Sequence, residues 1–168
     1  MGASSFDPKC VIKHGVTRAV MSNRALHRVH NLIEQGLDYW DSKRAGRRMP
    51  SRRDIEPTEI LDLLPYVVLV DVEREPLDFR YRLVGTAVAA RFGHDRTGER
   101  FSALLPPAEG GEIWKTAVRI LEEKRPIVSH IPYVGFNGWI QNYRDISMPL
   151  SENNDDVNMI FGVLQFET

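Results

Sequence analysis

Phe79-Arg80-Tyr81-Arg82-Leu83-Val84-Gly85-Thr86-Ala87-Val88-Ala89-Ala90-Arg91-Phe92-Gly93-His94-Asp95-Arg96-Thr97-Gly98 is the stretch whose reading decides the fold. Its first six residues alternate as a strand does: Phe79, Tyr81 and Leu83 share one face, Arg80, Arg82 and Val84 the other. Gly85 ends the strand. Thr86 has the chemistry of a helix N-cap for a short helix over Ala87–Phe92, and Gly93 that of a C-terminal stop. Gly98 marks a second turn. A strand that hands over to short helices in mid-domain suits an internal pocket walled by helices on one side and sheet on the other.

Working upstream, Tyr66–Val72 is a near-continuous, valine-rich run of strand length. Glu73–Asp78, with Pro76, turns it back into the quoted strand. Pro57 suits the first position of a short helix that Ile60, Leu61, Leu63 and Leu64 fill before Pro65 ends it. Before that, Leu26, Val29, Ile33, Leu37 and Trp40 recur at steps of three or four, predicting an amphipathic helix over Arg24–Arg44, with Met49-Pro50 as its stop. Its apolar face needs the domain's own sheet or a second subunit. Residues 1–22 lack periodicity and read as a loose arm.

Downstream, Ser102 caps a single turn before Pro106-Pro107. Ile113, Ala117, Ile120 and Leu121 then line one face of a longer helix that ends before Pro126. Three strands follow. Ile127–Val134 and Trp139–Met148 are joined through the hairpin signal Asn137-Gly138, and Ser151–Asp156 turns the chain into Val157–Phe166. The expected architecture is α+β: a five-stranded antiparallel sheet with helices on one face, plus the N-terminal amphipathic helix. The expected organisation is an arm over 1–22, helix and linker over 23–56, and the domain proper over 57–168.

Bulk properties narrow the function classes. The 168 residues suffice for one domain and an appendage. No apolar run approaches the ~20 residues of a membrane helix, and Met1–Lys9 has no signal-like apolar core, so the expected location is cytoplasmic. A single cysteine, Cys10, leaves no internal disulfide and no Cys/Cys zinc motif. Net charge is −1. The basic cluster Lys43, Arg44, Arg47, Arg48, Arg52 and Arg53 therefore reads as a solvated helix terminus and not as a nucleic-acid surface. Walker, Gly-x-Ser-x-Gly and His-Glu-x-x-His motifs are missing from the sequence, and no catalytic or metal residue is nominated.

Four groups of residues together resemble a known family. These are Tyr39-Trp40 followed by Met49-Pro50-Ser51-Arg52-Arg53-Asp54-Ile55-Glu56-Pro57; Leu63-Leu64-Pro65-Tyr66; Phe79 to Thr86 with Phe92-Gly93 and Thr97-Gly98; and Met148-Pro149-Leu150. They look like the PAS-like family of small bacterial proteins, and they span roughly Tyr39 to Phe166. The resemblance implies a PAS fold, a pocket enclosed by sheet and helices, and a sensory or regulatory role, not catalysis. Signalling would run through a homodimer or a partner protein. The resemblance names no ligand, because PAS domains bind haem, flavin, small acids or nothing.

The residues themselves leave the cofactor unknown. His94 follows the short helix, a layout that resembles haem-binding PAS domains with an axial histidine there, yet a lone histidine in a glycine-flanked loop is ordinarily a surface residue. A flavin adduct needs a cysteine in the helical block, and Cys10 lies in the arm. His27 and His30 lack carboxylates that would complete a metal site. The candidate ligand contacts are Arg82, Thr86, Phe92, Tyr133, Tyr143 and Arg144. An inward Arg82 must be paired, either with Asp145 or with an anionic ligand; otherwise it reads as a structural ion pair or a solvated arginine. Tyr133, Phe136, Trp139 and Tyr143 suit a pocket wall, an oligomer contact or plain sheet packing. Two other functions remain open: a small enzyme using Asp145, Arg144, His130 and Tyr143, and an interaction module whose pocket its own side chains fill.

Overall fold

The computed structural model describes residues 31–104, 111–134 and 140–166, without the side chains of 133, 134, 140 and 141. Of the sequence expectations, the arm, Leu26, Val29, His27, His30, Phe136, Asn137-Gly138 and Trp139, together with the Tyr133 side chain, lie outside these described residues. Leu32–Thr168 forms one compact unit.

The elements run α1 (Leu32–Lys43), β1 (Val67–Arg74), β2 (Leu77–Val84), α2 (Thr86–Phe92), α3 (Phe101–Leu104), α4 (Glu112–Glu123), β3 (Ile127–Val134), β4 (Ile140–Leu150) and β5 (Met159–Phe166). The strands form one antiparallel sheet in the order β2-β1-β5-β4-β3. The α+β expectation therefore holds. β5 is the central strand with β1 beside it, and both are covered on both faces, which suits their unbroken apolar runs: Val67, Val68, Leu69 and Val70 are all buried, as are Met159 to Leu164.

The amphipathic helix finds its partner within the domain. α1 packs on β4 and β5, burying Ile33, Gly36 and Trp40. Gly36, not the expected Leu37, is the residue that faces the sheet. A Cβ there would stand 2.8 Å from Val163 Cγ2, so only glycine lets the helix approach so closely, and Leu37 is left largely exposed. The Trp40 indole N–H donates to the Pro149 carbonyl at 2.9 Å. The helix is described only to Lys43, short of Met49-Pro50. The chain beyond it is pinned across to the β4–β5 loop: Asn154 Oδ1 accepts from the backbone N–H groups of Arg48 and Met49, and Ser151 N–H donates to the Pro50 carbonyl.

Three further expectations need correction. The segment after Pro57 is not one short helix but two separate 3-10 turns, Pro57–Glu59 and Leu64–Tyr66. Pro65 sits inside the second, and Leu61 is exposed. Thr86 is the first residue of α2 and not its N-cap; Gly85 holds that place in extended backbone. A Cβ at Gly85 would fall 2.4 Å from the Pro65 carbonyl oxygen and 2.5 Å from that of Leu64. Close approach, not turn geometry, demands glycine there. Gly93 does terminate α2, with a φ of 88°.

The third correction concerns the β2 alternation. Opposite Leu69 stands Leu83, but opposite Val70 stands Tyr81, so Arg82 is an extra residue in a β-bulge. Phe79 and Tyr81 share the inward face. Past the bulge the faces exchange: Leu83 turns outward and Val84 is buried.

Candidate functional site

Opposite α1, the sheet meets α2, α3 and α4 without filling the space between. A cavity of about 50 Å³ remains. Its sheet side includes Val70, Tyr81, Ile160 and Leu164; its helical side includes Phe92, Phe101 and Ala117. The walls are mostly hydrocarbon and aromatic ring. Phe92 meets Tyr143 edge-on with centroids 6.0 Å apart, and Tyr81 leans on Phe101 at 4.9 Å.

Into this wall β4 places a carboxylate. Alternation along the strand turns Tyr143, Asp145 and Ser147 to the cavity together. Asp145 is only 4% exposed. Ser129, directly opposite on β3, donates its hydroxyl to Asp145 Oδ1 at 2.6 Å, and Ser147 donates to Oδ2 at 2.8 Å. Burial raises the Asp145 pKa above the usual carboxylate range. The two serine hydroxyls oppose that shift without cancelling it, as does the nearby His130. The Tyr81 hydroxyl is pushed up to about 12, chiefly by burial.

Asp78 shows what full compensation looks like. It is nearly as covered, at 7% exposure, but lies at shallower depth. Burial opposes its charge, yet its pKa ends below the ordinary value. The Ser102 hydroxyl at 2.5 Å, the backbone N–H groups of Phe79 and Ser102, and the field of Arg100 outweigh the burial. Ser102 thus serves as a partner of Asp78 from within α3 and not as a helix cap. Asp145 receives two hydroxyls and its own backbone N–H, where Asp78 receives a hydroxyl, the backbone amides of Phe79 and Ser102 and the field of Arg100 at shallower depth.

Of the six candidate contacts, the structure brings Phe92 and Tyr143 to the cavity. Arg82 is on the bulge at the sheet's outer face, where its Nε donates to Asp71 Oδ1 at 2.7 Å. Asp145, one partner considered for an inward Arg82, is on the other face. Thr86 and Arg144 do not line the cavity: Thr86 stands at the start of α2, and Arg144 alternates away between Tyr143 and Asp145. Tyr133 lies in β3, its side chain outside the description. His94 is exposed and meets Glu99 at 3.2 Å. The basic cluster is largely ion-paired: Lys43 with Glu59, Arg44 with Asp41, Arg47 with Asp54. Tyr81, Phe101, Ser129 and Ser147 were not nominated from sequence. Ser147 was signalled by its alternation with Asp145 two residues earlier on β4, whereas Ser129 is readable only once the β3–β4 register is known.

A family model described as "PAS domain" matches residues 28–165 of this sequence. The chain belongs to the PAS domain family. No curated protein sequence matches it. Three solved structures are similar in fold. The PAS domain of a Colwellia psychrerythraea protein shares 12% identity, with 66% of this chain and 96% of that one covered and a TM-score of 0.47. The N-terminal domain of a Marinobacter aquaeolei diguanylate cyclase with a PAS/PAC sensor shares 10%, covering 60% and 94%, at 0.44. An RNA-binding light-oxygen-voltage receptor shares 13%, covering 70% and 35%, at 0.45. His94, weighed from sequence as a haem ligand, lies outside this PAS domain's cavity wall. Among the described residues no group of three or more His, Cys, Asp or Glu could hold a metal ion.

Proposed function

We propose that this PAS domain is a non-enzymatic sensory or regulatory module that takes a small ligand between sheet and helices. It would pass the signal on through a homodimer or a partner protein. The observation that carries this reading is the cavity itself: mostly apolar walls around one buried anchor, Asp145. A handful of placed polar groups in an apolar concavity is the ordinary design of a small-molecule site. An enzyme would need an acid and a base within hydrogen-bond reach of one substrate. Of the four groups that reading would use, only Asp145 and Tyr143 reach the cavity, while Arg144 and the exposed His130 alternate away from it.

Native mass spectrometry of freshly purified protein tests the ligand directly. A bound small mass of fixed stoichiometry is the expected result. A bare chain that also fails to bind in a fragment screen would favour an interaction module with no ligand. Light scattering with and without the ligand then reads the signalling step, with a change in solution mass expected on binding.

A further inference from the structure

An ionised carboxylate offers about four lone-pair sites. Ser129 and Ser147 each donate one hydroxyl to Asp145. Several other acidic side chains in the domain are neutralised by cations of the chain: Asp71 by Arg80 and Arg82, Asp54 by Arg47, Asp155 by Lys124; Asp78, also buried, has backbone amides and the nearby Arg100 instead. Among the described residues no salt bridge reaches Asp145. It is nevertheless the deepest of these carboxylates, and it faces open space instead of packed side chains. A buried carboxylate left in that condition strongly favours any cation that enters beside it.

Size and wall chemistry define the cation. The cavity is small, about 50 Å³, which favours a compact cation such as an ammonium nitrogen on a short alkyl chain. The hydrocarbon of Val70, Ile160 and Leu164 suits the alkyl part. The rings of Phe92, Tyr143 and Tyr81 line the same space, and ring faces favour positive charge over negative.

We propose that the cavity takes a small primary alkylammonium ion, its N–H groups bonded to the free lone pairs of Asp145. The proposal rests on the cavity being a ligand site. The serine hydroxyls then have a definite role as positioning groups: each holds one carboxylate oxygen, fixing the plane in which the ammonium is met.

Isothermal titration of the full chain at pH 7 with three probes of similar size tests this. These are propylammonium chloride, 1-propanol and sodium propionate. Propylammonium should bind saturably and at least tenfold more tightly than either alternative, and Asp145→Asn should abolish that preference. The comparison among probes uses the native protein, so it stands even if the variant does not fold. Equal binding of 1-propanol would overturn the charge reading while leaving a small-ligand site intact. Tighter binding of propionate would do the same. If no probe binds, the mass co-purifying with the protein decides. An amine supports the proposal, a neutral or acidic compound overturns it alone, and a bare chain overturns both it and the ligand reading beneath it.

Discussion

The two faces of the sheet are built to different tolerances. On the outer face α1 lies so close that Gly36 has no room for a methyl group against Val163, and Trp40 is locked to Pro149 by its indole N–H. On the inner face α2, α3 and α4 stand off far enough to leave a cavity with a carboxylate in it. β4 serves both, presenting Ile146 towards α1 and Asp145 towards the cavity. The tight face stabilises the domain. The loose face gives up packing energy, and in a protein interior as dense as an organic crystal that sacrifice points to use.

The largest test of this contrast is at the corner that sets the inner spacing. Gly85→Ala would drive a methyl group into the carbonyls of Pro65 and Leu64, backbone atoms that cannot turn aside. A loss of about 3 kcal/mol or more is expected in chemical denaturation. A loss below 1 kcal/mol would mean that α2 is free to shift.

Next come two small-to-large changes, one on each face. Gly36→Ala should cost about 1–3 kcal/mol by overpacking against Val163. Ala117→Val adds two carbons where Ala117 borders the cavity. It should stay within about 1 kcal/mol of the native protein, most of that being valine's weaker helix propensity. Similar losses at both positions would erase the distinction between the faces.

Asp145→Asn sharpens the inner face through pH. Because burial raises the folded-state pKa above the unfolded value near 3.8, the folded state binds the proton more tightly. This group's contribution therefore favours folding at low pH and is lost as the pH rises through the raised pKa. The variant should gain stability relative to the native protein between pH 4 and pH 7. A difference that does not change with pH would place the carboxyl in a wetter setting than the structure shows.

The smallest effect belongs to the outer surface. Arg82→Ala breaks an ion pair with Asp71 but leaves the cavity untouched. It should cost less than about 1 kcal/mol and leave propylammonium binding unchanged. A loss of binding would show that the bulge governs the inner wall.

Much of the fold was legible because it rests on local chemistry. The valine run of β1, the glycine stop after Phe92 and the Ile113-Ala117-Ile120 face of α4 all appear where spacing and composition put them. The site was less legible, because it depends on register. Val134 pairs with Ile140, so five residues separate the last pair of β3 and β4. A two-residue turn at Asn137-Gly138 would instead set Ile146 opposite Ser129 and separate the hydroxyl from Asp145. Likewise nothing in Phe79–Val84 announces the bulge, so simple alternation misjudged Leu83 and Val84; Arg82 makes a structural ion pair, with Asp71 and not Asp145. The long-range closeness of Gly36 to Val163 has no local signature either.

The bulge carries a consequence for how this chain can change length. In an ordinary strand, losing one residue turns every later side chain to the opposite face. Here Arg82 is the surplus residue, and removing it would leave Tyr81 inward, Leu83 outward and Val84 inward, as a regular strand requires. Within β2, Arg82 is therefore the natural point for a single-residue deletion: relatives one residue shorter there can keep the same core in the same phase, losing only the bond to Asp71.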